Sequence, residues 1–358
     1  MPTTHYIGMD AHGNTTDACV KTPAGKLLRR WHGPTTIPAL REFIESVPRP
    51  RKIAFEESPL ADWLLRNLSD LAEETLACDP RKNAYIAKDS DKDDPIDAEK
   101  LCDLFRGGYL KAVHHPGTLP RVLFKQQVQL YHERVGQRVR ESNKIAGLLK
   151  RWGIIVREKD FRDKPRRDEI LARLPAEARG VAGANLTLLW KSYDLTAAQV
   201  KELRRGLVRQ AKREEVVVRW TALPGISWIR GATLLAFLDT PWRFRSKSAL
   251  WRYMGIGLRL ERSGGGPGFL RVDLACNRTL KSAILGAAKT VIEKGGANPD
   301  PSENPFAWQH VRWRNNGLSP RNARRNVARA LAGAAWGMWK NGGQFDPELV
   351  GRQEAGTR

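Results

Sequence analysis

The chain has 358 residues, 61 of them Lys or Arg and 39 Asp or Glu, for a formal charge of +22. With 41 % hydrophobic residues it can bury real cores, which excludes wholesale disorder. No apolar run approaches the ~18 residues of a membrane span, so no membrane partner is expected. The first residues show no basic stretch followed by an apolar one, so no secretory leader is expected either. Four scattered cysteines, Cys19, Cys78, Cys102 and Cys276, form no C-x-x-C pair. That argues against a disulfide scaffold and a cysteine zinc site and fits a reducing cytoplasm.

The charge is unevenly placed. Residues 1–116 carry 16 Lys/Arg and 18 Asp/Glu, so the remaining residues carry 45 and 21. A nearly neutral first third is joined to a strongly basic remainder, and such a surplus calls for a polyanion, nucleic acid or an anionic membrane surface; with no membrane anchor, nucleic acid is the expectation.

In chain order, residues 5–10, 15–21 and 26–32 read as short strands separated by turn residues, a meander. Residues 37–47 place Ile37, Leu40, Phe43 and Ile44 on one helical face. Residues 51–57 read as a strand, 59–71 as a helix with proline at its start, and 75–79 as a strand. Residues 95–105 read as a helix with Asp94 as N-cap. A meander followed by strand–helix units predicts an α/β domain with a mixed sheet, bounded near residue 116 by glycines and prolines. Residues 120–152 and 195–220 carry apolar positions near heptad spacing among Arg and Lys. They predict two long helices, an antiparallel coiled-coil arm or a pair of bundle helices. The last third reads as mainly helical around a glycine-rich stretch at 263–268.

Four carboxylates stand out by position. Asp10 ends the first strand, Glu56 ends the strand containing Ile53, Ala54 and Phe55, and Asp94 and Asp97 open a helix three residues apart. Carboxylates at strand ends and a helix start can converge on Mg²⁺, a hard cation that takes oxygen ligands. Two such ions about 4 Å apart would clamp a phosphoryl transfer. D-P-I-D is also the pattern of a capped helix start, and Glu56 with Glu57 is also that of a solvated strand end. Similarly, Ser263 among glycines reads alone as a linker. Leu223-Pro224-Gly225-Ile226 reads as a helix–helix turn, and it also resembles the hairpin of helix-hairpin-helix modules, which hold a DNA phosphate by backbone N–H groups. Of the twelve tryptophans, most are expected in cores. Trp308 and Trp313, among Arg312, Arg314 and Arg321, are candidates for stacking on nucleic acid.

Y-I-G-M-D at 6–10, I-A-F-E at 53–56 and D-x-x-D-A at 94–98 resemble the DEDD tetrad of bacterial insertion-sequence transposases of family one hundred and ten and its eleven-eleven subgroup. The blocks L-P-G-I at 223–226, Y-M-G-I at 253–256, R-S-G-G-G at 262–266 and N-R-T-L-K at 277–281 resemble the C-terminal catalytic domain of the same family. Asp93 stands where that family commonly has threonine, Cys276 where it has glycine, and Lys281 where it has arginine.

The resemblance implies an RNase H-like (RuvC-like) domain over 1–116, a basic helical, coiled-coil linker over 117–218, and a mainly α transposase domain over 219–358. It implies Asp10, Glu56, Asp94 and Asp97 as Mg²⁺ ligands and Ser263 as the nucleophile of a strand exchange through a phosphoserine link. Arg259, Arg262, Arg271, Pro224, Gly225, Asn277, Arg278, Lys281, Arg312 and Arg321 are the expected nucleic-acid contacts. Expected partners are donor and target DNA, a guide (bridge) RNA and further copies of the chain as homodimer or homotetramer, at the bacterial nucleoid. The alternative is a Mg²⁺-dependent RuvC-type junction nuclease that uses water and forms no covalent intermediate.

Overall fold

The computed structural model describes residues 3–79, 94–262, 268–272 and 275–352. The chain divides into two compact units, Met1–Val122 and Leu123–Arg358.

The first unit is built on a five-stranded sheet. Its strands are β1 (His5–Ala11), β2 (Thr15–Lys21), β3 (Leu27–Pro34), β4 (Arg51–Glu56) and β5 (Glu74–Cys78), in the order β3-β2-β1-β4-β5. β1, β2 and β3 are antiparallel, whereas β4 runs parallel to both β1 and β5. The predicted meander and mixed sheet are therefore present. The parallel strands arise because helices α1 (Ile37–Glu45) and α2 (Ala61–Leu68) intervene before β4 and β5, which is what a parallel connection requires.

Both helices cover one face of the sheet. Leu40, Phe43 and Ile44 of α1 and Leu64 and Leu68 of α2 bury Ile7, Met9, Ile53 and Phe55. On the other face lies α3 (Asp94–Arg106), whose Leu101 and Phe105 pack with Ala54 and Cys78. The acid-rich sequence of α3 has a structural use there. Buried Lys21 of β2 donates to Asp103 at 2.7 Å and pairs with Glu99 at 3.5 Å. Arg30 of β3 also pairs with Glu99.

The long helix α4 (Leu119–Lys150) begins in the last residues of the first unit and runs through the second. It is followed by a 3₁₀ turn (Glu158–Phe161), α5 (Lys164–Ala172) and α6 (Ala176–Ala211). The predicted helix over 195–220 needs correcting. α6 starts 19 residues earlier and ends at Ala211, and a separate α7 (Glu215–Trp220) follows. Gly180 and Gly183 mask the helical signal of 176–194, and that stretch is helical because it is packed. Ala178, Ala182, Leu186, Trp190 and Tyr193 form a small core with Ile145, Leu149, Phe161 and Leu174. α4 and α6 run antiparallel: Gln127 lies against Gly206 at one end, and Glu141 accepts a hydrogen bond from Ser192 at the other.

The remaining elements are α8 (Trp228–Leu238), α9 (Lys247–Tyr253), hairpin strands β6 (Leu258–Glu261) and β7 (Phe269–Val272), α10 (Arg278–Gly295), α11 (Pro305–Asn315), α12 (Pro320–Asn341) and α13 (Pro347–Arg352). α8 is buried on every side from Gly231 to Leu238, as expected of a helix apolar all round at the centre of a bundle. Leu280, Ile284 and Ala287 of α10 and Val327, Leu331 and Ala335 of α12 share its core. Two buried indoles are satisfied by backbone: Trp220 donates to Ala335 O at 2.7 Å and Trp336 to Pro241 O at 2.8 Å. Among the described residues no helix is long and apolar enough to cross a membrane.

Candidate active site

Strand alternation decides which carboxylates of the first unit share a surface. Ile7 and Met9 point into the α1/α2 core, so Gly8 and Asp10 lie on the α3 face of β1. Ile53 and Phe55 likewise point to α1/α2. Ala54, which packs with α3, and Glu56 two residues on therefore share the α3 face of β4. The two strands are parallel neighbours with Met9 beside Phe55, so the next step along each sets Asp10 beside Glu56.

α3 reaches this face through Gly8. A Cβ built on Gly8 would stand 2.4 Å from Ala98 O and 2.7 Å from Cys102 N, so only glycine admits the helix at this depth. Two thiols complete the seam: Cys19 of β2 donates to Ala98 O at 3.4 Å, and Cys102 to Tyr6 O at 3.1 Å. The neighbouring Cys102 thiol, together with burial, pushes the Cys19 thiol well above its ordinary range, so it stays protonated. Ala98 is thereby fixed over β1, with Asp97 beside it on the exposed first turn of α3. Asp94 opens the helix one turn earlier; its side chain, and Asp93, lie outside the described residues.

Asp10 Oδ2 is 3.2 Å from His12 Nε2. Opposite it, on the same face, is Asp17 of β2, only 7 % exposed, whose carboxylate meets His32 Nδ1 at 3.1 Å. Beyond Glu56 lies a second feature that sequence reasoning missed. His115 is held between Glu57 Oε2 at 2.5 Å and Asp62 Oδ1 at 2.6 Å. Burial works against its charge, but the two carboxylates together hold the imidazole above its ordinary range. Glu57 N–H donates to Cys78 O, so the residue after Glu56 is fixed through both backbone and side chain. No local signal links residues 57, 62 and 115, because the fold alone brings them together.

Among the described residues no group of three or more His, Cys, Asp and Glu side chains has an arrangement that could hold a metal ion. The chemistry of Asp10, Glu56 and Asp97 still fits a hard divalent cation, since every donor is a carboxylate oxygen.

In the second unit the Y-M-G-I and N-R-T-L-K blocks meet at the base of the β6–β7 hairpin. Gly255, at φ 68°, lies so close to α10 that a Cβ there would stand 2.5 Å from Cys276 Sγ and 2.9 Å from Lys281 Cδ. Asn277 N–H donates to Tyr253 O, and its side chain caps α10 by accepting from Leu280 N at 2.9 Å. Asn277 is thus an N-cap here, and Arg278 and Lys281 lie on the first turn it caps. The hairpin itself is exposed and basic. Arg259 and Arg271 face one another across it and share one acid, Glu261. Arg262 is exposed at the end of β6. Ser263 and the glycines after it lie outside the described residues.

Pro224 and Gly225 form the turn between α7 and α8. Gly225 has φ 79° and a Cβ on it would stand 2.6 Å from Ala287 O, so the turn is pressed against α10. Arg230 Nη1 donates to Gly225 O at 2.7 Å and to Thr290 Oγ1 at 3.1 Å, which locks the turn. Arg312 lies 4.7 Å over the Trp308 ring, Trp313 packs against the core, and Arg321 is exposed at the start of α12.

Residues 219–300, from the end of α7 past α10, match the model of the transposase IS116/IS110/IS902 family. The chain is similar to the transposase for insertion sequence element IS1328 of Yersinia enterocolitica. The two are 23 % identical over 307 residues, which is 82 % of this chain and 86 % of that one. It is also similar to the putative transposase y4pF/y4sB of Sinorhizobium fredii, 24 % identical over 311 residues, 85 % of this chain and 76 % of the other. These matches support an IS116/IS110/IS902-type transposase. The transposase-family match encloses the Pro224-Gly225 turn, both hairpin strands and the Asn277 cap, so the convergence just described lies wholly inside it. The similarity to the two relatives extends well beyond it.

Proposed function

We propose that the chain is a DNA transposase that breaks and rejoins strands through a phosphoserine link at Ser263. In this reading Asp10, Glu56, Asp94 and Asp97 hold Mg²⁺, and a structured non-coding RNA guides the enzyme to its sites. The observation that carries the reading is the parallel register of β1 and β4, which sets Asp10 beside Glu56 on the face that α3 covers. The sheet order β3-β2-β1-β4-β5 supports an RNase H-like first unit. The transposase-family match supports assigning the second half of the chemistry to the stretch that contains Ser263.

Bound to the four carboxylates, Mg²⁺ would offset negative charge on a DNA phosphate. The serine hydroxyl attacks phosphorus: a Ser263 Oγ–P bond forms as the strand's P–O bond breaks, and the departing oxygen ends protonated while the serine gives up its proton. One P–O bond is made for each one broken, so resealing needs no ATP. Arg259, Arg262 and Arg271 are near enough in sequence to neutralise charge growing on the phosphate oxygens. Further copies of the chain fit the arm. Val181, Leu188 and Leu195 lie seven residues apart on α6 and are 75, 64 and 63 % exposed, an apolar stripe suited to a partner helix. Guidance by RNA rests on the family resemblance and on the basic surplus of the later two thirds.

The decisive experiment traps the wild-type protein on a suicide DNA substrate. A denaturant-resistant adduct mapping to Ser263 is expected, and Ser263→Ala should bind DNA yet form no adduct and exchange no strands. Normal Mg²⁺-dependent cleavage by Ser263→Ala would make water the nucleophile and replace this reading with the junction nuclease. A discrete structured RNA co-purifying with the protein is the expected sign of guidance.

A further inference from the structure

The second unit contains an open cavity of about 800 Å³ between α9, α11, α12 and the chain's last described residues. It lies outside the segment that matches the transposase family, apart from its α9 wall. Its floor is a run of small residues on α12, and the floor is open. A Cβ built on Gly337 would meet nothing within 4 Å, and one on Gly333 only the Lys247 chain at 3.8 Å. Its walls carry three indoles, Trp251, Trp313 and Trp336. Lys247, Arg329 and Lys340 line it against a single acid, Asp346. Lys340 Nζ sits 4.4 Å from the Trp336 ring, which keeps a cation and an aromatic surface side by side.

A second observation points to what would enter. Gln309 lines the cavity and is 4 % exposed. Its Nε2 donates to Val350 O at 2.9 Å, but its Oε1 is buried and has no hydrogen-bond partner among the described residues. A buried carbonyl oxygen without a donor is costly, and an incoming N–H would relieve it. The wanted ligand is therefore flat and aromatic, bears an N–H donor and carries negative charge nearby. An amino-bearing nucleobase on its phosphodiester strand has all three properties, and base–indole stacking tolerates any base with a π-face.

We propose that this cavity captures one unpaired, amino-bearing base of the DNA substrate. The base stacks on the indoles with its amino group toward Gln309 Oε1 and its flanking phosphates toward Lys247 and Lys340. The proposal rests on the reading of the chain as a DNA-handling transposase, and it adds a base-holding site to that reading. Such a site would keep a strand open once it has left its duplex, at the cost of unstacking that an already unpaired base does not incur.

The test uses the full-length protein and a duplex with one bulged 2-aminopurine, whose fluorescence indole stacking quenches. The wild type should quench the probe and bind the bulged duplex about 10-fold more tightly than the fully paired one. Gly337→Leu fills the cavity from a helical position with open space beside it. It should lose both the quenching and the preference while binding paired duplex as before. Lys247→Gln should reduce the preference, and a bulged purine without the amino group should forfeit most of it. Equal binding of the two duplexes by wild type, or undiminished quenching by Gly337→Leu, overturns the cavity proposal and leaves the transposase reading standing. Failure of the wild type to bind any DNA would overturn the transposase reading itself.

Discussion

The two units differ in how fully their charges are matched. In the first, basic side chains are matched internally: Lys21 to Asp103, Arg30 to Glu99, Arg41 to Asp70, Arg49 to Glu73 and Lys52 to Glu74. What remains is a short carboxylate edge at the ends of β1 and β4. In the second unit, arginines crowd one another. Arg259 and Arg271 share Glu261, and burial with Arg321 and Arg324 nearby holds Arg325 below its ordinary range. Crowded cations cost the folded state energy that a polyanion would return. The comparison teaches a division of labour: one unit builds a seat for a few acids, and the other keeps a basic surplus that suits phosphates.

The largest effect expected from breaking this division is at the seat. In Gly8→Ala the new Cβ meets backbone atoms of α3, which cannot move aside as a flexible side chain would. The helix must shift outward at a cost of about 3 kcal/mol. Asp94 and Asp97 would move away from Asp10, and strand exchange should disappear. Urea unfolding and an exchange assay read the two losses separately. Full activity in Gly8→Ala would show that the position of α3 does not matter to the chemistry.

Gly8 also marks the limit of what the sequence discloses. The strands of the first unit are legible because apolar alternation and turn residues are local signals. The set Asp10, Glu56 and Asp94 with Asp97 is legible as positions at strand ends and a helix start. The reason Asp10 and Glu56 share a face lies in a register between strands 46 residues apart. The reason residue 8 must be glycine lies in a helix 90 residues away. In the second unit the start of α6 is hidden by Gly180 and Gly183, and its helicity comes from the core around Phe161 and Trp190. Asn277 could be read as a contact to nucleic acid, and its capping bond to Leu280 N shows only in three dimensions.

The basic surface is tested by salt. Affinity for DNA should fall steeply as salt rises, because each neutralised phosphate releases counterions. Replacing an exposed arginine of this surface, in Arg278→Gln or Arg321→Gln, should lower the slope of log affinity against log salt by about 1 each. The same change at Arg41, which already pairs with Asp70 in the first unit, should leave the slope unchanged. A salt-independent affinity, or an equal effect at Arg41, would erase the contrast between the units.

The smallest effect is expected at His115, where the first unit's pairing can be titrated. Glu57 and Asp62 hold the imidazole above its ordinary range, so its folded-state value exceeds the unfolded one near 6.5. The sign follows from linkage: the pairing stabilises the fold fully below the unfolded value and is lost as pH rises through the higher folded value. In His115→Gln the charge is gone at every pH. The stability gap between wild type and variant should therefore be widest in acid, about 2 kcal/mol for hydrogen bonds to charged groups. It should narrow steadily as pH rises beyond the ordinary imidazole range. Urea midpoints measured across that interval check it, and a gap that widened with pH would mean that His115 is held neutral between its two carboxylates. Because Glu57 follows Glu56 directly, the loss of this clamp should also loosen the end of β4. Strand exchange in His115→Gln is therefore expected to fall modestly at low pH and to approach wild type at high pH, the reverse of the loss in Gly8→Ala, which no change of pH should restore.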